Sequence, residues 1–427
     1  MCPIAGHQGT NSKELDRNNL PPGSTGGVEP LTTNATDRYT LVSADCHAGG
    51  DFSDYRRYLP SSLLEEFDEW MRLYDNPFTD LTDDSKVRNW DSAVRTRDLE
   101  ADGQVAEVIF PNTIPPFFPS SLLVARPPAT SREFELRWAG LQAHNRWLVD
   151  WCNELPGRRA GLLQVFPNDI EAAVAEVEWG AASGLKGVLV PAVPPDSPVP
   201  ALWNEYYDPL WAACQDTGLS VNQHGGAGIP DIDTSPNRNF LMLMEVPFFA
   251  NRSLWHLILS GVFVRFPELR FVMTEQRVGW VPETLAKMDA FWHLFRAGGV
   301  GEMPADATQL PNPPSSYFHS NCYMGSSFPG PDEADAIRQL GVDRVMWGSD
   351  YPHAEGTFPE TVAALRHVFA DWPADDLHKL LGATAAEVYD LDLTELAGHG
   401  IGPLVGEVAE PLDEVPTHPS MAFRPRP

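Results

Sequence analysis

Eight short runs, seven of them apolar and each of those broken off by a proline, a glycine or a polar residue, and one, 317–323, more polar, limit what this 427-residue chain can fold into more than any other feature. They cover residues 39–44, 105–110, 161–166, 187–190, 219–223, 269–274, 317–323 and 344–347, and all read as strands. Helical stretches alternate with them. Residues 132–154 carry an apolar stripe from Phe134 and Trp138 to Leu148, and Asp169 caps an alanine-rich helix running towards Gly184. Further helices are predicted over 202–217, stopped by Gly218, over 254–266, after Pro282, and over 359–369 and 374–389. Strands apolar on both faces belong to parallel sheets, so this alternation predicts a (β/α)8 TIM barrel. Residues 52–98 read as a long first-loop insertion with helical pieces, of the kind that lids a site. The expected organisation is a flexible N-terminal arm over 1–37, a catalytic barrel over 38–391 and a C-terminal extension over 392–427.

Composition bounds the partners. With 59 acidic against 30 basic residues the formal charge is -29, which argues against nucleic acid and against anionic membrane surfaces. No apolar run is long enough to cross a bilayer, and residues 1–27 lack the apolar core of a signal peptide. Cys2, Cys46, Cys152, Cys214 and Cys322 have neither zinc-finger nor disulfide spacing, and their odd number fits a reducing compartment. A soluble, cytoplasmic protein acting on a small molecule is expected, and the terminal arms suit a homodimer.

In a barrel of this kind the carboxyl ends of the strands carry the chemistry. The first run leads into Asp45-Cys46-His47, and alternation along a strand projects Asp45 and His47 into the same space. The fifth ends on His224 and the eighth on Asp350, since Pro352 cannot continue a ladder. Each residue alone is as well explained by a turn or a packed core; three separate strand ends presenting ligand types at one face are not. Imidazole and carboxylate together suit one divalent metal ion, with zinc favoured and manganese or iron as alternatives.

Several separated stretches resemble the amidohydrolase-related (amidohydrolase 2) family, which includes aminocarboxymuconate-semialdehyde decarboxylase. They are Ser43 to His47, Leu185 to Val188, Tyr207 to Trp211, Val221 to Gly226, Gly261 to Pro267, and Trp347 to Pro352. The resemblance spans roughly residues 39–390 and implies that Asp45, His47, His224 and Asp350 are metal ligands. Two positions depart from the family pattern. Asp45 stands where a histidine is frequent, and Glu275, after the sixth strand, stands where many relatives carry a catalytic histidine. Lys186 precedes its strand and reads as a surface lysine, so a single ion is expected rather than a lysine-bridged pair.

The expected activity is hydrolysis by a metal-activated water, with Asp350 taking the water proton. Glu275 is expected to act as a second acid or base or to orient His224, or else to pair with Arg277. Arg277, His353 and Asn112 are candidates to hold an anionic substrate group. His256 and His293, in apolar helical contexts, read as packed or surface residues. Nonoxidative decarboxylation of an aromatic or enoic acid is the alternative, and a metal-free binding scaffold the second alternative.

Overall fold

A computed structural model of the chain describes residues 38–74, 82–112, 114–119, 126–226, 228–229, 236–303 and 310–426, which belong to one compact unit. The expected N-terminal arm, 1–37, lies outside these residues. Eight strands form one sheet in sequence order, every neighbouring pair parallel. They are β1 (Leu41–Ala48), β2 (Gln104–Pro111), β3 (Arg159–Gln164), β4 (Gly187–Leu189), β5 (Ser220–His224), β6 (Phe271–Thr274), β7 (Cys322–Ser327) and β8 (Val345–Gly348). Every strand residue is buried, because helices cover the outer face and side chains fill the inner one. The fold is the (β/α)8 barrel that the alternation predicts.

The sheet comes round on itself where the chain leaves β8. Asp350 donates its backbone N–H to the Asp45 carbonyl at 2.8 Å, and His47 donates its own to the Tyr351 carbonyl at 2.7 Å. Close approach at this seam requires a small residue: a Cβ on Gly348 would lie 2.7 Å from the Asp45 Cβ and 3.0 Å from its backbone nitrogen.

A register shift between Ser43 and Cys46 makes β1 irregular where it faces β2. Val42 and Ala44 pack in the inner apolar cluster with Val108, Leu162, Val272 and Met346, whereas Cys46 and Ala48 pack in the outer one. The extra residue reverses the inward phase, so Asp45 and His47, rather than Cys46, face the interior. The Ser43 hydroxyl supports the irregular stretch by donating to the Asp45 carbonyl at 2.8 Å.

Three elements differ from expectation. Residues 317–321 are the end of the Pro314–Asn321 helix rather than a strand, and β7 begins at Cys322; Pro314 in the first turn favours the helix. The helix expected from residue 254 begins at Arg238, carries Pro247 in its interior and ends before Gly261 in the left-handed region (φ 72). A second, short helix, Val262–Arg265, follows it. The 374–389 helix contains a π turn over Lys379–Ala383.

The insertion after β1 is helical in pieces, with helices at Leu64–Leu73 and Ser92–Ala101. The chain beyond residue 391 lies on the barrel. Arg38 bridges to Leu404, Tyr39 N–H donates to the Pro403 carbonyl at 3.0 Å, and Leu396 joins the inner apolar cluster beside Tyr389. Among the described residues no helix is long and apolar enough to cross a membrane.

Replacing Gly348 by alanine is expected to destabilise the protein by about 1–3 kcal/mol, because the added methyl presses on the β1 backbone. Equilibrium denaturant unfolding reads this directly, and an unchanged midpoint would show that the seam tolerates the extra volume.

Candidate active site

Four strand ends bring five side chains together. Asp45 and His47 come from β1, His224 ends β5, Glu275 follows β6 and Asp350 follows β8. His47 Nε2 lies 3.4 Å from Asp45 Oδ1 and 3.3 Å from Asp350 Oδ1. His224 Nε2 lies 3.5 Å from Asp45 Oδ1 and 3.1 Å from Glu275 Oε2. Asp45, His47, His224 and Asp350 are at most 2% exposed. Glu275 is 27% exposed.

Converging atoms of this kind are normally hydrogen-bonded, yet Asp45 Oδ1, His47 Nε2, His224 Nε2 and both Asp350 oxygens have no hydrogen-bond partner among the described residues. The opposite ring nitrogens explain the aim. His47 Nδ1 faces the Pro111 carbonyl at 3.4 Å and His224 Nδ1 faces the Gly225 carbonyl at 3.0 Å. With each Nδ1–H donating to a carbonyl, each Nε2 presents a lone pair to the cluster. Donors about 2.0–2.2 Å from one ion stand roughly 3–3.5 Å apart, which is the spacing here. One oxygen or nitrogen from each of Asp45, His47, His224 and Glu275 lies within 4.8 Å of the others, and His47, Asp350 and His353 form an adjoining group of the same width. The residues fit a divalent cation.

Without an ion, charge in this space is balanced among the side chains. Burial works against ionised Asp45, but the neighbouring His224 and His47 imidazoles hold its carboxyl far below the usual range. Burial likewise opposes ionisation of His47, yet Asp350 and Asp45 raise its pKa well above the ordinary imidazole value. Burial pushes Glu275 up to about 7, with Asp350 and Asp45 adding to the rise and His224 opposing it. A bound cation reverses the imidazole shifts, since a ligand nitrogen gives up its proton.

The other sequence candidates fall in two places. His353 stacks on His47 with ring centroids 4.2 Å apart, its Nδ1 3.0 Å from Asp350 Oδ1 and its Nε2 3.1 Å from Asn112 Oδ1. Asn112 spends its amide N–H on Asn89 Oδ1 at 2.5 Å, so its oxygen accepts from His353. The Asp350 carboxylate beside it raises the His353 pKa against the effect of burial. Arg277 turns its guanidinium to Asp332 at 2.5 Å and lies 3.6 Å from Glu333, so Glu275 pairs with His224 instead. Lys186 pairs with Asp390 at 2.9 Å, and His256 packs edge-on against Trp203.

Two contributors escape a reading by ligand type. Phe110, at the end of β2, packs against both imidazoles, 4.8 Å from His224 and 6.0 Å from His47. Ser327, at the end of β7, donates its hydroxyl to Asp45 Oδ2. Beside the cluster lies a cavity of about 520 Å³ walled by Leu243, Val246, Pro247, Trp280, Phe328 and Met421. Of the five clustered acids and imidazoles, Glu275 alone lines it.

A family profile described as Amidohydrolase matches residues 108–391, about two thirds of the chain. The chain belongs to the amidohydrolase family. This amidohydrolase is 24% identical over 231 residues to gamma-resorcylate decarboxylase of Polaromonas sp., covering 51% of the chain and 68% of the relative. Among solved structures it resembles 5-carboxyvanillate decarboxylase of Novosphingobium aromaticivorans, with bound manganese and 3-methoxy-4-hydroxy-5-nitrobenzoic acid. That likeness has a TM-score of 0.63 at 20% identity over 85% of this chain and 100% of the other. An amidohydrolase of Mycobacterium avium subsp. paratuberculosis superposes with a TM-score of 0.61 at 18% identity, covering 82% and 99% of the two chains. A dihydroxybenzoic acid decarboxylase of Polaromonas sp., with manganese and 2-nitroresorcinol, gives 0.57 at 18% identity over 84% and 99%. The protein is an enzyme of the amidohydrolase superfamily.

Ser327→Ala removes the group that orients Asp45, and manganese affinity is expected to fall about 10–100-fold. Calorimetric titration of chelator-treated protein measures it, and unchanged affinity would show that Asp45 needs no such support.

Proposed function

We propose that this amidohydrolase is a metal-dependent, nonoxidative decarboxylase of a small aromatic acid, with hydrolysis as the second reading. The observation that carries the proposal is the set of buried atoms of Asp45, His47, His224 and Asp350 left without hydrogen bonds among the described residues, the first three lying with Glu275 within 4.8 Å of one another and Asp350 adjoining them at His47. Those atoms argue for a cation; the names of the relatives, decarboxylases in three of the four comparisons above, favour decarboxylation over the hydrolysis expected from Glu275. An apolar cavity of this size beside the cluster suits a planar ring.

We assign Asp45, His47, His224 and Asp350 as the ligands of one divalent ion. Imidazole with carboxylate accommodates zinc, manganese or iron, and manganese in two related decarboxylases favours manganese. Such an ion would supply positive charge at the substrate's anionic group.

The protein's own groups manage the proton. Loss of carbon dioxide breaks the bond between ring carbon and carboxylate and leaves the electron pair on that carbon, which then takes a proton. Asp350 is assigned to deliver it and His353 to reload Asp350, the two being 3.0 Å apart and His353 Nε2 anchored on Asn112 Oδ1. Phe110 and the apolar walls keep water from competing at the ring. Glu275 borders the cavity beside His224. That position favours the hydrolytic reading, in which Glu275 serves as the base for an attacking water.

The two readings differ in where solvent atoms finish. Hydroxybenzoates incubated with manganese-loaded enzyme in deuterium oxide are expected to release carbon dioxide and take one deuteron at the vacated ring carbon. Lactones and amides offered in oxygen-18 water are expected to stay intact; incorporation of the heavy oxygen into product would establish hydrolysis instead. Asp350→Asn is expected to lower kcat about 10²–10⁴-fold, and turnover at the wild-type rate would remove Asp350 from the proton path.

A further inference from the structure

The C-terminal segment forms part of the cavity wall, and nothing in the barrel topology requires it to. Met421 lines the same cavity as Glu275, its sulfur 3.8 Å from Arg277 Nη1. The segment around it is fastened to the barrel at several points. Arg366, in the Thr361–Phe369 helix, donates to the Glu410 and Pro411 carbonyls at 2.7 and 3.1 Å. His367 Nε2 lies 2.8 Å from the Arg424 carbonyl, and Arg426 donates back to the His367 carbonyl at 2.7 Å.

Packing agrees with the hydrogen bonds. Ala422 and Phe423 are buried in an apolar cluster with Phe328 and Ala364, and Met421 packs against it. The segment sits so close to the loop after β7 that a Cβ on Gly330 would lie 2.8 Å from the Met421 carbonyl. Phe328 is itself a cavity residue, held at φ 36. The tail therefore braces one wall residue and supplies another.

We propose that residues 420–426 are a working part of the active site and that Met421 is a specificity-determining residue, setting how large a ring substituent the cavity admits. Methionine suits the role, because an unbranched thioether fills an irregular apolar gap and leaves room when shortened. The choice of probes rests on the decarboxylase reading; the position of the tail does not.

The test compares wild type, Met421→Ala and Met421→Trp, manganese-loaded, on hydroxybenzoates carrying hydrogen, methoxy, ethoxy or phenyl groups. Met421→Ala is expected to raise kcat/KM for the bulky acids relative to the unsubstituted one by about tenfold or more, and Met421→Trp to lower it, mainly through KM. Manganese content serves as the control for an intact metal site. An unchanged order of preference in both variants would overturn the proposal.

Should the wild type act on none of these acids, the decarboxylase reading falls, and the tail is judged by hydrogen exchange alone. Deletion of 420–427 is then expected to speed amide exchange at 275–280 and 326–331 severalfold while the β1 to β4 amides keep their rates. Equal exchange at those segments would overturn the proposal, and Met421→Ala, whose melting is measured alongside, separates a lost wall from a protein that no longer folds.

Discussion

Two backbone hydrogen bonds carry the rest of the structure: Asp350 N–H to the Asp45 carbonyl and His47 N–H to the Tyr351 carbonyl. They bring the two ends of the eight-stranded sheet together, and they do so through the residues whose side chains converge in the cluster. Closing the barrel and assembling the site are thus one event. A chain that failed to pair β8 with β1 would leave Asp350 unable to meet His47, whatever its sequence.

The interior is shaped to let this happen. The irregular stretch in β1 reverses its inward phase after Ala44. Gly348 and Gly325 remove side chains where Asp45 and Thr274 need room, since a Cβ on Gly325 would lie 2.6 Å from Thr274 Oγ1. Asp350 adopts φ 63 and Glu275 φ 55, left-handed conformations uncommon for residues with a side chain and frequent where a chain must turn sharply into a site. Phe110 then packs against the two imidazoles and limits how far either ring can rotate.

Much of this was legible in the sequence, for a physical reason. Burial on both faces makes barrel strands uniformly apolar, so Asp45, His47, His224 and Asp350 stand out as polar groups at strand ends. The spacing of Asp45 and His47 foretold a shared direction, although it could not reveal that an irregularity sets that direction inward. Glu275 was visible as a strand-end acid with His224 or Arg277 as its expected partner, and a left-handed turn that leaves no mark in the local pattern delivers it to His224. Residues 317–321 misled because Tyr317 and Phe318 are as apolar as a strand while Pro313 and Pro314 start a helix. Pro247 hid the first four turns of the Arg238–Leu259 helix in the same way. The tail beyond 391 has no period at all; its order comes from Arg366, His367 and Phe328, residues distant in sequence.

The central claim is that one cation sits among side chains from β1, β5 and β8. Anomalous diffraction at the manganese edge, from crystals of manganese-loaded protein, tests it most directly. The account predicts a single peak about 2.0–2.3 Å from Asp45 Oδ1, His47 Nε2, His224 Nε2 and one Asp350 oxygen. A map with no peak between these atoms, or with the ion bound elsewhere, would contradict it.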